Sequence, residues 1–266
     1  MSAVGPVARD RVAERIAERL AIFRLPTAAA EMAPRLIAAG HADALPTVLE
    51  VCELEAEERH DRRVQRLRRA ARLPPGKTLA TFDDTRLPPA LARKLKELAQ
   101  GQFVEQCLNV LAFGLPGTGK SHAACALGHA LVEAGRAVFF TPTYALVQDL
   151  LAAKRDLALS RALRKLDHFD ALILDDLGYV QQGPTETEVL FTLMSERYER
   201  RSMIITSNLV FSQWDQIFKN PMTTASAIDR VVHHSVILEF DVPSYRTEKA
   251  QKQKRGVTTK KAQTED

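Results

Sequence analysis

The chain has 266 residues, 26% of them charged and 45% hydrophobic, with a formal net charge of +4. No apolar run approaches the ~18 residues of a membrane-spanning helix, and charges interrupt every apolar stretch of the opening MSAVGPVARDRVAERIAERL, unlike a signal peptide. Cys52, Cys107 and Cys125 are too scattered for a disulfide framework or a zinc knuckle, so a cytoplasmic protein is expected.

Val12, Ile16, Leu20 and Phe23 recur at helical spacing and predict a helix over 9–23 with a narrow apolar face. Pro26, Pro34 and Pro46 are expected to divide short helical segments after it. Residues 47–72 read as one long helix, acidic in its first half (Glu50, Glu53, Glu55, Glu57, Glu58) and Arg-rich in its second, an order that suits the helix dipole. Leu73-Pro74-Pro75-Gly76 ends it and sets the expected domain boundary: a helical domain over 1–75, a second over 76–246 and a basic tail over 247–266. The basic run of the long helix includes Arg62, Arg63, Arg66 and Arg69, and a second run in the tail includes Lys249, Lys252, Lys254, Arg255, Lys260 and Lys261. Such clusters suit contact with a polyanion; a solvated helix face and a disordered tail are the alternative.

From Leu108 onward the pattern changes. Short apolar runs at 108–113, 137–141, 171–174, 203–206 and 236–240 alternate with amphipathic helical stretches, which predicts a parallel sheet with helices on both faces. The first run leads into Gly114-Leu115-Pro116-Gly117-Thr118-Gly119-Lys120-Ser121, a fit to G-x-x-x-x-G-K-[ST] at every fixed position, and a helix-forming segment follows. Glycines there let successive N–H groups turn toward phosphate oxygens, and the helix N-terminus adds its positive end. Lys120 is placed to reach the β- and γ-phosphates of ATP, and the Ser121 hydroxyl to bind Mg²⁺.

The run Ala171–Leu174 delivers Asp175 and Asp176 at the carboxyl edge of the sheet, where ligands of open α/β sheets bind. Asp175 is expected on the Mg²⁺ side and Asp176 beside the attacking water. Met203–Thr206 ends in Ser207-Asn208, and Asn208 is placed to hydrogen-bond that water or the γ-phosphate. Arg230, in Ala227-Ile228-Asp229-Arg230, has two readings: positive charge offered to a neighbouring subunit's γ-phosphate, or a surface ion pair with Asp229. His122, His233 and His234 have no acid or cysteine at metal-ligand spacing and read as structural.

The order of these residues resembles the AAA+ ATPases and, within them, the IstB/DnaC-like group of insertion-sequence transposition helpers and helicase loaders. GLPGTGKSH (114–122), LILDDLGY (172–179), ITSN (205–208), Trp214, AIDRVVHH (227–234), SYR (244–246) and the acidic-then-basic LEAEERHDRRVQRLRRAARLPPGKTLATFD (54–83) carry the likeness, nearly the whole chain. The resemblance implies an α/β AAA+ core: a five-stranded parallel sheet between helices, with a small all-helical N-terminal domain and no substantial C-terminal lid. It implies an ATP set of Gly114, Pro116, Gly117, Thr118, Gly119, Lys120, Ser121 and His122, with Asn208 as sensor, Arg230 as arginine finger and Arg246 as second sensor. Asp176 stands where many AAA+ proteins have Glu, which leaves the rate of hydrolysis in question but not ATP binding. The segment 144–169 is long enough for two helices; by resemblance it lines a nucleic-acid path, with Lys154, Arg155, Arg161, Arg164 and Lys165 on phosphates, and a solvated helix surface balanced by Asp149, Asp156 and Asp167 is the alternative.

The implied activity is ATP-driven homo-oligomeric assembly on double-stranded DNA and recruitment of a partner transposase, with ATP at subunit junctions and no membrane. A helicase loader on single-stranded DNA shares the ATPase core. Only 6% of residues are aromatic and none lies in 59–72 or 249–261, which leans away from base-stacking single-strand binding. A small-molecule kinase leaves the Arg-rich helix without a role, and no Asn-Lys-x-Asp motif supports a GTPase.

Overall fold

The computed structural model describes residues 6–178, 183–218 and 221–248. Tyr179 and the basic residues from Lys249 to Lys261 lie outside the described residues. The chain forms two compact units, 1–65 and 66–266.

In the first unit, α1 (Pro6–Ile22) and α2 (Pro26–Ala38) precede the long α3 (Leu45–Ala71), inside which the division between units falls. Ile16 and Leu20 of α1 close a small core with Phe23, Ala33, Leu45, Leu49 and Cys52, as the helical spacing predicted for the first segment. Pro26 opens α2, where its missing N–H has no intrahelical partner. Pro34 does not divide the segment as expected: α2 runs through it. One backbone bond to Ala30 is forfeited there, and the buried Ala33 beside it keeps the helix docked on the core. Pro46 likewise sits in the first turn of α3.

The second unit is built on five parallel strands: β1 (Asn109–Gly114), β2 (Val138–Pro142), β3 (Ala171–Leu177), β4 (Ser202–Ser207) and β5 (Ser235–Phe240), in the order β2-β3-β4-β1-β5. All five fall on the apolar runs of the sequence. Helices α4 (Pro89–Leu98) and α5 (Gln102–Glu105) lead into β1, α6 (Lys120–Glu133) links β1 to β2, and α7 (Thr143–Arg155) with α8 (Leu159–Asp167) links β2 to β3. After β3 come α9 (Pro184–Arg197) and, beyond β4, α10 (Asp215–Phe218) and α11 (Pro221–Val232).

Strand alternation sorts the core into two layers. Leu111, Phe113, Leu172, Leu174, Met203 and Ile205 join Leu146, Leu150, Val189, Leu193 and Val231 of α7, α9 and α11 in one apolar cluster. Ile173 points to the opposite face, where its Cδ1 stands so close to α6 that a Cβ at Gly128 would meet it at 2.6 Å. Trp214 is fully buried, with its ring 6.4 Å from that of Phe113 and its indole N–H donated to the Leu209 carbonyl at 3.3 Å.

One buried charge is structural. Arg197, at the end of α9, is 1% exposed and donates to the carbonyls of Leu166, Phe169 and Ser202, each at 3.0 Å. Burial lowers its pKa to about 10. It closes the C-terminal end of α8 and the entries to β3 and β4 with a single planar fork of donors.

Candidate active site

At the carboxyl edge of β1 the chain turns through 115–119 into α6. Gly117 (φ 83°) and Gly119 (φ 105°) both take left-handed backbone, which a side chain would oppose. At Gly117 there is also no room: an added Cβ would collide with the Ser244 hydroxyl. The loop closes on itself through Thr118, whose hydroxyl donates to the Leu115 carbonyl at 2.9 Å.

Lys120 is 4% exposed, and its ammonium is held at three points: the carbonyls of Gly114 (2.7 Å) and Leu115 (2.9 Å) and the Asn208 side-chain oxygen (2.8 Å). Burial pushes its pKa down, against the pull of Asp176 and Asp175. The Lys120–Asn208 bond joins the end of β4 to the phosphate loop, so two residues singled out separately in the sequence converge.

Asp175 and Asp176 differ although they are neighbours. Asp175 is buried; its carboxylate accepts the Thr206 hydroxyl at 2.6 Å, and its carbonyl accepts the Thr143 hydroxyl at 2.9 Å. The register of β3 against β4 shifts between Leu174 and Leu177, and Asp176 takes φ 57° within that irregularity. Its amide donates to the Thr206 hydroxyl at 2.9 Å, while its side chain is exposed to the cleft. Partial enclosure first, and the charge of Asp175 second, raise the Asp176 pKa. Thr206 therefore fixes both acids, one through its hydroxyl proton and one through its oxygen. Sequence reading passed it over, although a threonine one residue before Ser207-Asn208 on a strand aimed at the Asp pair was the available signal.

A cleft of about 360 Å³ gathers Pro116 to His122, Asp176, Asn208 and Arg246 with Lys77, Thr81, Phe82, Arg86 and Tyr245. The last five, from 77–86 and the C-terminal segment, are not among the site residues expected from the sequence. The His122 ring nitrogen lies 3.2 Å from both the Thr78 carbonyl and the Thr81 hydroxyl, and its ring meets Phe82 edge-on at 5.1 Å. Burial lowers the His122 pKa, and the ring's contacts tie the 78–82 turn to α6.

Among the described residues no group of three or more His, Cys, Asp or Glu side chains is placed to hold a metal. The Ser121 hydroxyl and the buried Asp175 carboxylate are hard oxygen donors. That set fits Mg²⁺, which takes few protein ligands and completes its shell with phosphate oxygens and water.

Arg230 is not among the residues that line this cleft. It donates to the Ser226 carbonyl at 3.1 Å and to the Ser226 hydroxyl, and lies 5.2 Å over the Phe191 ring. The basic residues of 144–169 fall on the two expected helices. Lys154 is paired with Glu188 at 2.6 Å. Arg155, Arg161, Arg164 and Lys165 are exposed and make no ion pair among the described residues, and Asp167 pairs with Arg200 instead. On α3, Arg62, Arg63, Arg66 and Arg69 are exposed, and Arg62 is bound to Glu58 one turn away.

Residues 17–254 match the family model described as IstB-like ATP binding protein. An insertion-sequence ATP-binding protein of Sinorhizobium fredii is 48% identical over 206 residues, covering 77% of this chain and 69% of the relative. The insertion sequence IS21 ATP-binding protein of Pseudomonas aeruginosa is 40% identical over 202 residues, 76% of each. Among solved structures, the DnaC helicase loader superposes with a TM-score of 0.53 at 16% identity over 61% of this chain and 96% of its own. AMPPCP-bound DnaA from Aquifex aeolicus gives 0.52 at 20% identity, over 64% of this chain and 52% of that one. These structural likenesses show the fold, the AAA+ P-loop arrangement.

Proposed function

This chain belongs to the family of IstB-like ATP-binding proteins, and from that premise we propose that it is an ATP-dependent DNA-binding regulator of transposition. ATP occupies the cleft at Gly114–Ser121. The observation that carries the reading is the convergence of Lys120, Asn208 and the Asp175–Asp176 pair at one sheet edge, beside the glycine loop that lines the cleft.

Lys120 exchanges its carbonyl and Asn208 contacts for the β- and γ-phosphates when ATP enters. Bound Mg²⁺, held by Ser121 and Asp175, would neutralise charge on those phosphates. Asp176 orients the attacking water and Asn208, released from Lys120, reads the γ-phosphate. Water adds to the γ-phosphorus as the bond to the β–γ bridging oxygen breaks, and ADP leaves with that electron pair. Asp176 is one methylene shorter than Glu, which fits slow turnover that responds to partners. Arg230, outside its own cleft, completes the cleft of a neighbouring subunit, so hydrolysis is coupled to homo-oligomeric assembly.

The exposed basic faces of α3 and α8 contact DNA phosphates. Such contacts position the protein without reading sequence, and the assembly formed engages the transposase of the same insertion sequence. The test is fluorescence anisotropy with duplex and with single-stranded DNA at one fixed salt concentration, each with ATP, ADP or no nucleotide. An ATP-dependent preference for duplex is expected. A preference for single strands points instead to a helicase loader, and no binding in any state removes DNA from the account.

A further inference from the structure

The segment after β5 lies directly on the phosphate loop. The Tyr245 amide donates to the Gly117 carbonyl at 2.9 Å, the Ser244 hydroxyl fills the place of a Gly117 side chain, and the Arg246 Cβ would stand 3.5 Å from a Cβ there. Residues 245–248 are helical, and the Glu248 N–H is donated to the Ser244 carbonyl at 3.2 Å. A side chain from outside the segment grips it.

Arg86 is that grip. Its guanidinium pairs with the Glu248 carboxylate at 2.9 Å, lies 5.1 Å over the Tyr245 ring and reaches the Pro243 carbonyl at 3.5 Å. One side chain thus touches Pro243, Tyr245 and Glu248. Arg86 is anchored in turn: it closes the 84–86 turn, in which the Asp84 carboxylate binds Lys96 of α4 at 2.8 Å and the Asp84 carbonyl accepts the Leu87 amide at 3.1 Å. Leu91 and Leu95 bury α4 against the second unit. A lone exposed ion pair contributes little, but this arginine is three-quarters covered and makes a stack, a pair and a carbonyl contact on one short segment.

We propose that Arg86 is a positioning residue for ATP turnover: it clasps residues 243–248 across the phosphate loop and so holds Arg246 at the γ-phosphate end of the cleft. The inference rests on the ATP reading of that cleft. Arg86 acts through Arg246, so its loss mimics loss of Arg246 and adds nothing to it.

The test measures kcat, KM, and the ATP and ADP affinities of the full chain as wild type, Arg86→Ala, Arg246→Ala and the double variant. Arg86→Ala is expected to lower kcat about 10-fold and to erase much of the preference for ATP over ADP, with ADP affinity within about 2-fold of wild type. The double variant is expected to match Arg246→Ala, because coupled residues are non-additive. Arg86→Lys keeps the pair with Glu248 but loses the planar stack, and is expected to recover part of the loss. Glu248→Gln, which removes only the pair, serves as a milder second variant with a change in the same direction. Normal turnover in Arg86→Ala beside an impaired Arg246→Ala, or losses that multiply in the double variant, would overturn the clasp and leave the ATP site intact. Absence of ATP binding in the wild type would overturn both.

Discussion

The nucleotide cleft and the basic helix faces both carry charge, and they hold it in opposite ways. In the cleft the central charges are constrained: Lys120 has three acceptors, Asp175 has Thr206, and the Asp176 backbone is set by its bond to Thr206. On α8, Arg161, Arg164 and Lys165 sit one turn apart at most, exposed and without an ion pair among the described residues. Charges held by a fold are pre-organised for one ligand geometry. Charges left in solvent act as a field, which suits a repeating polyanion bound at any sequence.

Two variants sharpen this contrast, the larger effect first. Arg230→Ala removes a cation that is outside its own cleft and stacked on Phe191. Turnover of the assembled protein is expected to fall about 10³-fold while ATP binding by the monomer is unchanged. Steady-state hydrolysis beside nucleotide titration reads both, and normal turnover would leave Arg230 a surface residue. The triple variant Arg161→Ala, Arg164→Ala, Lys165→Ala is expected to weaken duplex binding about 10-fold or more and to lower the slope of log affinity against log salt by about 3, with DNA-free ATPase activity intact. An unchanged salt slope would place the DNA elsewhere.

The same contrast explains what could be read from sequence. The five strands were legible because each is an apolar run, and β1, β3 and β4 in the middle of the sheet are buried on both faces, with little freedom of composition. The phosphate loop was legible because its glycines answer to backbone geometry, as the collision at Gly117 shows. Arg86 and Tyr245 were not, because their roles come from partners far away in sequence, and nothing local marks an arginine as a tether. Arg197 is the sharpest case. Its sequence neighbours Glu196, Glu199, Arg200 and Arg201 are all charged, yet it is nearly inaccessible and bonded to three backbone carbonyls. Pro34 misled in the opposite direction, since tertiary packing of α2 outweighs one forfeited backbone bond.

The central claim is that ATP binds in the cleft at Gly114–Ser121 through Lys120. Calorimetric titration of Mg-ATP into wild type and Lys120→Ala tests it most directly. Saturable binding by wild type, weakened at least about 10-fold in the variant together with loss of turnover, is the predicted result for removing a charge-assisted phosphate contact. Equal binding and turnover in the two proteins would contradict it.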